Sequence, residues 1–286
     1  MDLEGRIAAL RADRERGSAA LATEALDILE AAARGLPREG FDAALRGVAQ
    51  QLAAARPAMV ALENRVNQVL ANALVAEAPE DALPTIVIGL CDAARAGAAL
   101  ERAAAAQQAA SLLAASRPRR VATISWSDTV AEALRAAAKP GPFAVVLPEG
   151  APLGDGKCAA ARLGRAGLAV DVVPDGATAV EARRADAGLV GADAVLGDGS
   201  VVNRAGTRAV AGALREAGKP LWVVCEEAKV TWREELPLER VEGASLFDVT
   251  PAADVAAVVT ERGPQAPRDL AAVAERHRQR AAWAEE

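Results

Sequence analysis

An aspartate, an asparagine and an arginine stand close together in GADAVLGDGSVVNRAGT, residues 191–207. Asp193 follows an apolar run, and a carboxylate in an apolar setting can carry a proton at neutral pH once burial lifts its pKa. Asn203 and Arg204 precede Gly206 and Thr207, where a helix begins. The free amides of a helix N-terminus beside an arginine make a phosphate cradle. GDGS (197–200) reads as a tight turn between two short β segments, AVL and VVN. The stretch is therefore a hairpin, a phosphate cradle, or both. A hairpin alone explains the glycines and leaves Asp193 and Arg204 without a role.

Three further loops carry candidate chemistry. SWSD (125–128) offers the hydroxyls of Ser125 and Ser127 ahead of a helix. That helix either holds an anion on its amides or is simply capped by Ser127 or Asp128. PEGAPLGDGKC (148–158) is rich in glycine and proline, but it matches neither a Walker A loop nor a dinucleotide fingerprint, and a mobile surface loop explains it equally. CEEAKVTW (225–232) holds Lys229, expected to be solvated. Cys225 reads as buried strand filler and Cys158 lies at a helix start; with no histidine near either, no thiol nucleophile is expected. His277, the single histidine, lies in the charged helix AERHRQRAAW and is expected to face solvent.

These loops need a frame, and two kinds of periodicity supply it. Up to about Ser116 the pattern is helical: SAALATEALDILEAAARG places Leu21, Ala25, Ile28, Leu29 and Ala32 on one face. Helices follow in FDAALRGVAQQLAAARP, in AMVALENRVNQVLANALVAEAP and, at greater length, in the stretch ending LLAAS. After SRPRR, short apolar runs at 121–125, 143–148, 168–174, 187–196 and 221–226 alternate with helices, and a last short element lies in 254–263. Such alternation implies a parallel sheet covered on both faces, with ligands beyond the carboxyl ends of its strands. The expected fold is α/β: an N-terminal helical bundle over 1–116, then a Rossmann-like domain over 117–286, with RPRR as linker.

Composition narrows the functional classes. A net charge of −6, with acids and bases interspersed, argues against a nucleic-acid or membrane surface. The three cysteines are widely spaced and specify neither a disulfide framework nor a zinc site. No leader is recognised and no apolar run is expected to span a bilayer, so a cytoplasmic protein is expected. No G-x-G-x-x-G follows residues 121–125, which disfavours a nicotinamide oxidoreductase. No metal or cofactor is implied.

Together these residues resemble one family. It joins the alpha, beta and delta subunits of eukaryotic translation initiation factor 2B with methylthioribose-1-phosphate isomerase and ribose-1,5-bisphosphate isomerase. VGADAVLGDGSVVNRAGT is similar to its G-A-D…N-K-x-G-T block, and LFDVTPAADVAAVVTERG to its closing block. AARPAMVALENRVNQVL resembles its R-P segment, and ERGSAALATEAL its R-G-(A/S) entry. The resemblance implies a sugar phosphate held between a helical and a Rossmann-like domain, and a homodimer formed through the latter. It implies Arg16, Gly17, Ser18 and Arg56 as ligand contacts, Asn203 and Arg204 as the ligand-binding pair, and Asp193 as the catalytic acid. The isomerases carry T-H-C-N where this chain has Thr123, Ile124, Ser125 and Trp126, so Ser125 stands at the thiol position. They carry E-T-R-P where this chain has Glu149, Gly150, Ala151 and Pro152, so an arginine is lost at Ala151. The expectation is a sugar-phosphate-binding protein with aldose–ketose isomerisation, Asp193 and Ser125 in the catalytic positions. The alternative is a non-catalytic, ligand-sensing subunit.

Overall fold

A computed structural model describes residues 2–76, 79, 81–139 and 141–284. The chain forms two compact units: 1–100 with 228–237 and 271–286, and 101–227 with 238–270. The division falls at Leu100, inside a long helix, and two later segments of chain join the first unit.

The first unit is helical. It holds α1 (Leu3–Ala12), α2 (Ser18–Gly35), α3 (Phe41–Ala53), α4 (Val60–Val75) and the start of α5 (Leu83–Ser116). The face of α2 read from spacing is the buried one: Leu21, Ala25, Ile28, Leu29 and Ala32 have no solvent exposure. Helix α4 is buried along most of its length and packs against α2 and α3. Its Asn64 amide donates to the carbonyls of Ala228 (2.9 Å) and Val230 (2.8 Å), which fastens segment 228–237 to the helices. Arg233 in that segment grips Glu63 of α4 with two bonds, at 2.6 and 2.7 Å. By length and composition alone α5 is apolar enough to cross a membrane, contrary to the reading of the sequence. Its apolarity is diluted among alanines, so no short window of large side chains announces it.

The second unit carries the sheet. Its elements are β1 (Arg120–Ala122), α6 (Asp128–Ala137), β2 (Ala144–Pro148), α7 (Asp155–Arg165), β3 (Ala169–Val173), α8 (Thr178–Arg184), β4 (Ala187–Val190), β5 (Ala194–Val195), β6 (Val201–Arg204), α9 (Thr207–Glu216), β7 (Leu221–Val224), β8 (Arg240–Val241), β9 (Ala244–Ser245), β10 (Phe247–Thr250), β11 (Ala257–Thr260) and β12 (Gly263–Gln265). Helix α10 (Ala271–Ala281) belongs to the first unit, where it packs on α4. The seven-stranded sheet has the order β12-β11-β7-β4-β1-β2-β3. All its pairs are parallel except β11–β12. Strands β4 and β7 are buried at every residue, as parallel central strands must be. Strand β3, at the edge, is largely exposed. A second sheet, β10-β6-β5, is antiparallel, and its β5–β6 pair is the hairpin expected around GDGS.

The hydrophobic core of this unit runs from α5 (Ala109, Leu113) through α6 (Leu134) and the strands (Val145, Leu189, Val224). Two glycines set how closely helices approach the strand ends. A Cβ on Gly156 would lie 1.8 Å from the Pro148 carbonyl oxygen, so only glycine lets α7 start against β2. A Cβ on Gly191 would meet the Ser127 hydroxyl at 3.2 Å, so the first turn of α6 lies directly over the end of β4.

Candidate functional site

In the second unit, polar residues gather at the carboxyl ends of β1, β4 and β7. Ser125 follows β1 with φ of 49°, in the left-handed region that side-chain-bearing residues seldom occupy. Such strain is retained where the surroundings impose it, and it concentrates at sites of function. Ser127 is the N-cap of α6 and accepts from the Val130 amide (3.4 Å), which settles the choice between cap and anion site for that hydroxyl. On the same turn the buried Thr129 hydroxyl donates to Glu226 (3.2 Å), a buried carboxylate just past β7.

The hairpin carries the other candidates. The Asp193 amide donates to the Val202 carbonyl (2.8 Å), and Ala194 pairs with Val202. Asp193 is thereby tied to the strand that bears Asn203 and Arg204. The Asn203 amide donates to the Thr207 hydroxyl (3.0 Å), which donates to the Arg204 carbonyl (2.7 Å). A Cβ added to Gly206, at the start of α9, would lie 3.5 Å from Cδ1 of Ile124, the residue before Ser125. The β1 loop and the hairpin are therefore neighbours.

The helix N-terminus itself is not a vacant cradle. Asp248, opposite Asn203 on β10, accepts from the amides of Gly206 (2.7 Å) and Arg208 (3.2 Å). The protein's own carboxylate thus occupies the place that the sequence reading offered to a phosphate. Burial raises the Asp248 pKa, against the pull of those two amides.

Arg204 reaches the loop between β2 and α7. Its Nε lies 2.8 Å from Oδ2 of Asp155, and its guanidinium sits over the Phe247 ring at 5.6 Å. Oδ2 has no aligned hydrogen bond, so the contact is a close ion pair. Burial raises the Asp155 pKa while the Arg204 charge opposes it. Backbone bonds tie both ends of this loop while residues 151–153 stay exposed. The amides of Gly150 and Ala151 donate to Asp175 (2.9 and 3.0 Å), and those of Gly156 and Lys157 to the Glu149 carbonyl.

The first unit gathers its own candidates. Arg16 Nε lies 2.6 Å from Oδ2 of Asp13, and Nη1 lies 3.4 Å from Glu24. Arg56 is buried and donates to the carbonyl of the same Asp13. Gly17 is the N-cap of α2. Ser18 opens the helix, buried, and its hydroxyl has no hydrogen-bond partner among the described residues. One aspartate therefore brings the R-G-S entry and the R-P segment together.

Two expectations are corrected. Lys229 and His277 are buried rather than solvated. His277 lies on the face of α10 with Val273 and Ala274, one turn away, so a helix with many charges still hides one side. Cys225 is buried, as read, and Cys158, in the first turn of α7, is exposed. The burial of Cys91 pushes its thiol up to about 12, which leaves it unreactive. Among the described residues no three metal-ligating side chains are grouped to hold an ion. The sequence reading missed Asp13, Asp155, Glu226 and Asp248. Only Asp13 left a local signal, three residues before Arg16, a spacing that suits an ion pair across one turn.

Residues 14–244 match the model of the initiation factor 2 subunit family. The chain belongs to that family. It is 31% identical to a ribose 1,5-bisphosphate isomerase of Haloferax volcanii over 284 residues, which is 89% of this chain and 86% of that one. It is 36% identical to a putative translation initiation factor eIF-2B subunit 2-like protein of Pyrococcus furiosus, over 52% of this chain and 59% of the relative's length. Among solved structures, the translation initiation factor eIF-2B of Pyrococcus horikoshii OT3 superposes with a TM-score of 0.83 at 25% identity, covering 94% of this chain and 98% of that one. The 5-methylthioribose 1-phosphate isomerase of the same organism shares the fold, with a TM-score of 0.76 at 21% identity. The family thus contains proteins named as sugar-phosphate isomerases and others named as initiation-factor subunits.

Proposed function

We propose that this protein binds a phosphorylated pentose and isomerises it from aldose to ketose. The observation that carries the reading is the β5–β6 hairpin, which ties Asp193 to Asn203 and Arg204 beside the Ser125 loop. A carboxylate, an amide and a guanidinium at the carboxyl end of a parallel sheet suit proton transfer on an anchored sugar phosphate. Asp193 shuttles a proton between adjacent carbons, Asn203 and Arg204 contact the ligand, and Arg16, Gly17, Ser18 and Arg56 are further candidate ligand contacts. Ser125 stands as the second catalytic group. A serine hydroxyl is far less acidic than a thiol, so turnover is expected to be slow.

The decisive experiment incubates purified protein at high concentration with ribose 1,5-bisphosphate, methylthioribose 1-phosphate and 5-deoxyribose 1-phosphate, and follows ketose formation. Asp193→Asn is expected to lower the rate at least about a hundredfold while the sugar phosphate still binds. Wild-type protein that binds one of these sugars without converting it supports a second reading, a ligand-sensing subunit without chemistry. The serine at the thiol position favours that reading. Protein that neither binds nor converts any of them ends both. The same proposal includes a homodimer formed through the Rossmann-like domain, checked by light scattering, and a cytoplasmic location, checked by cell fractionation.

A further inference from the structure

Arg204 is held on two sides. Its Nε is paired with Asp155 and one face lies over Phe247. Its side chain is only 22% exposed. Its terminal nitrogens, Nη1 and Nη2, make no hydrogen bond among the described residues. A guanidinium fixed through Nε presents those two nitrogens as a planar fork, the shape that grips two phosphate oxygens at once.

Several backbone amides at this sheet end are already taken by the protein itself. The amides at the starts of α7 and α9 are given to Glu149 and Asp248, and a third helix, α6, gives the Val130 amide to Ser127. Arg204 adds a side-chain cation at this end of the sheet.

We propose that Asp155 is a positioning residue: it orients Arg204 so that Nη1 and Nη2 bind one phosphate group of the ligand side by side. The idea rests on the sugar-phosphate reading for the identity of the ligand, though not for the fork. Asp155 is itself placed by its loop. It starts α7 next to Gly156, whose missing side chain lets the helix abut β2. Gly150, with φ of 79°, leaves room for the Asp155 carboxylate where a Cβ would lie 2.0 Å from Oδ1.

The test is a double-mutant cycle on the full chain, using Asp155→Ala and Arg204→Lys, read by calorimetric titration with ribose 1,5-bisphosphate and separately with inorganic phosphate. Asp155→Asn serves as the variant of unchanged shape, and melting temperatures without ligand check that each protein is folded. Arg204→Lys is expected to weaken binding about tenfold or more, because an ammonium cannot form the fork. Asp155→Ala and Asp155→Asn are each expected to weaken it by about three- to tenfold in the wild-type background and by less than about twofold beside Arg204→Lys. A residue that merely stabilised the loop would lower the melting temperature without that coupling. Equal or tighter binding by folded Asp155 variants overturns the proposal, since Asp155 would then be idle or a competitor of the phosphate. Arg204-dependent binding of inorganic phosphate, without binding of any sugar phosphate, keeps the fork and removes the sugar reading. Wild-type protein that binds neither removes both.

Discussion

Glu261 shows how a buried carboxylate ties stability to pH. It lies just past β11 and accepts from the Glu227 amide (3.0 Å). Burial raises its pKa from 4.5, the Glu101 and Glu227 charges push the same way, and backbone hydrogen bonds oppose them. The folded protein therefore holds this proton more tightly than the unfolded chain. Well above the folded pKa the group disfavours folding, and that penalty fades as pH falls through the folded pKa toward 4.5. Glu261→Gln keeps an acceptor and removes the charge. We expect the variant to melt higher than the wild type at pH 8 and the gap to close near pH 5, measured by thermal denaturation across that range. A gap independent of pH would mean that Glu261 titrates alike in the folded and unfolded chains. Asp193 and Ser125 belong to the same scale. Their types and order could be read from the sequence. The left-handed backbone at Ser125 could not, because serine has no local reason to adopt it.

Among the elements, α9 illustrates what a cap from a distant strand does. Helices start with orphan amides, and a side chain at the N-cap commonly satisfies one of them. Here the N-cap is Gly206, which has no side chain, and the acceptor is Asp248 on β10. Asp248→Ala should cost about 1–2 kcal/mol in a denaturant titration. It should also lift the protection of the Gly206 and Arg208 amides from hydrogen exchange. Unchanged exchange would show that another group holds them. The face of α2 was legible because a 3.6-residue period needs only neighbours in sequence. The β5–β6 hairpin was legible because its turn is local. The pairing of β6 with β10 was not, since more than forty residues separate Asn203 from Asp248 and neither segment announces its partner.

At the scale of the whole chain, the helical unit is assembled from separated pieces. Helix α10 buries Val273, Ala274, His277 and the following Trp283, and it packs on α4. Removing residues 271–286 should strip several kilocalories per mole from that unit, at about 1.5–3 kcal/mol for each large apolar side chain exposed. Domains have only about 5–15 kcal/mol to lose. We expect the truncated chain to lose the cooperative melting of its helices, seen by calorimetry and far-ultraviolet circular dichroism. Intact cooperative melting would mean that α4 holds the helices together unaided.

The sequence by itself determined the change from helices to alternating strands and helices, the hairpin at GDGS, the family and the types of residue at the candidate site. Those depend on short-range periodicity, turn chemistry and motif order, which a linear string records. The short strands β8, β9, β10 and β12 left no such signal. Tertiary structure alone decided the distant pairings: Asp13 with Arg56, Asp155 with Arg204, Asp248 with the start of α9. It also decided that Lys229 and His277 are buried. The physical reason is that pairing and burial depend on distances in space, which folding creates between residues far apart along the chain.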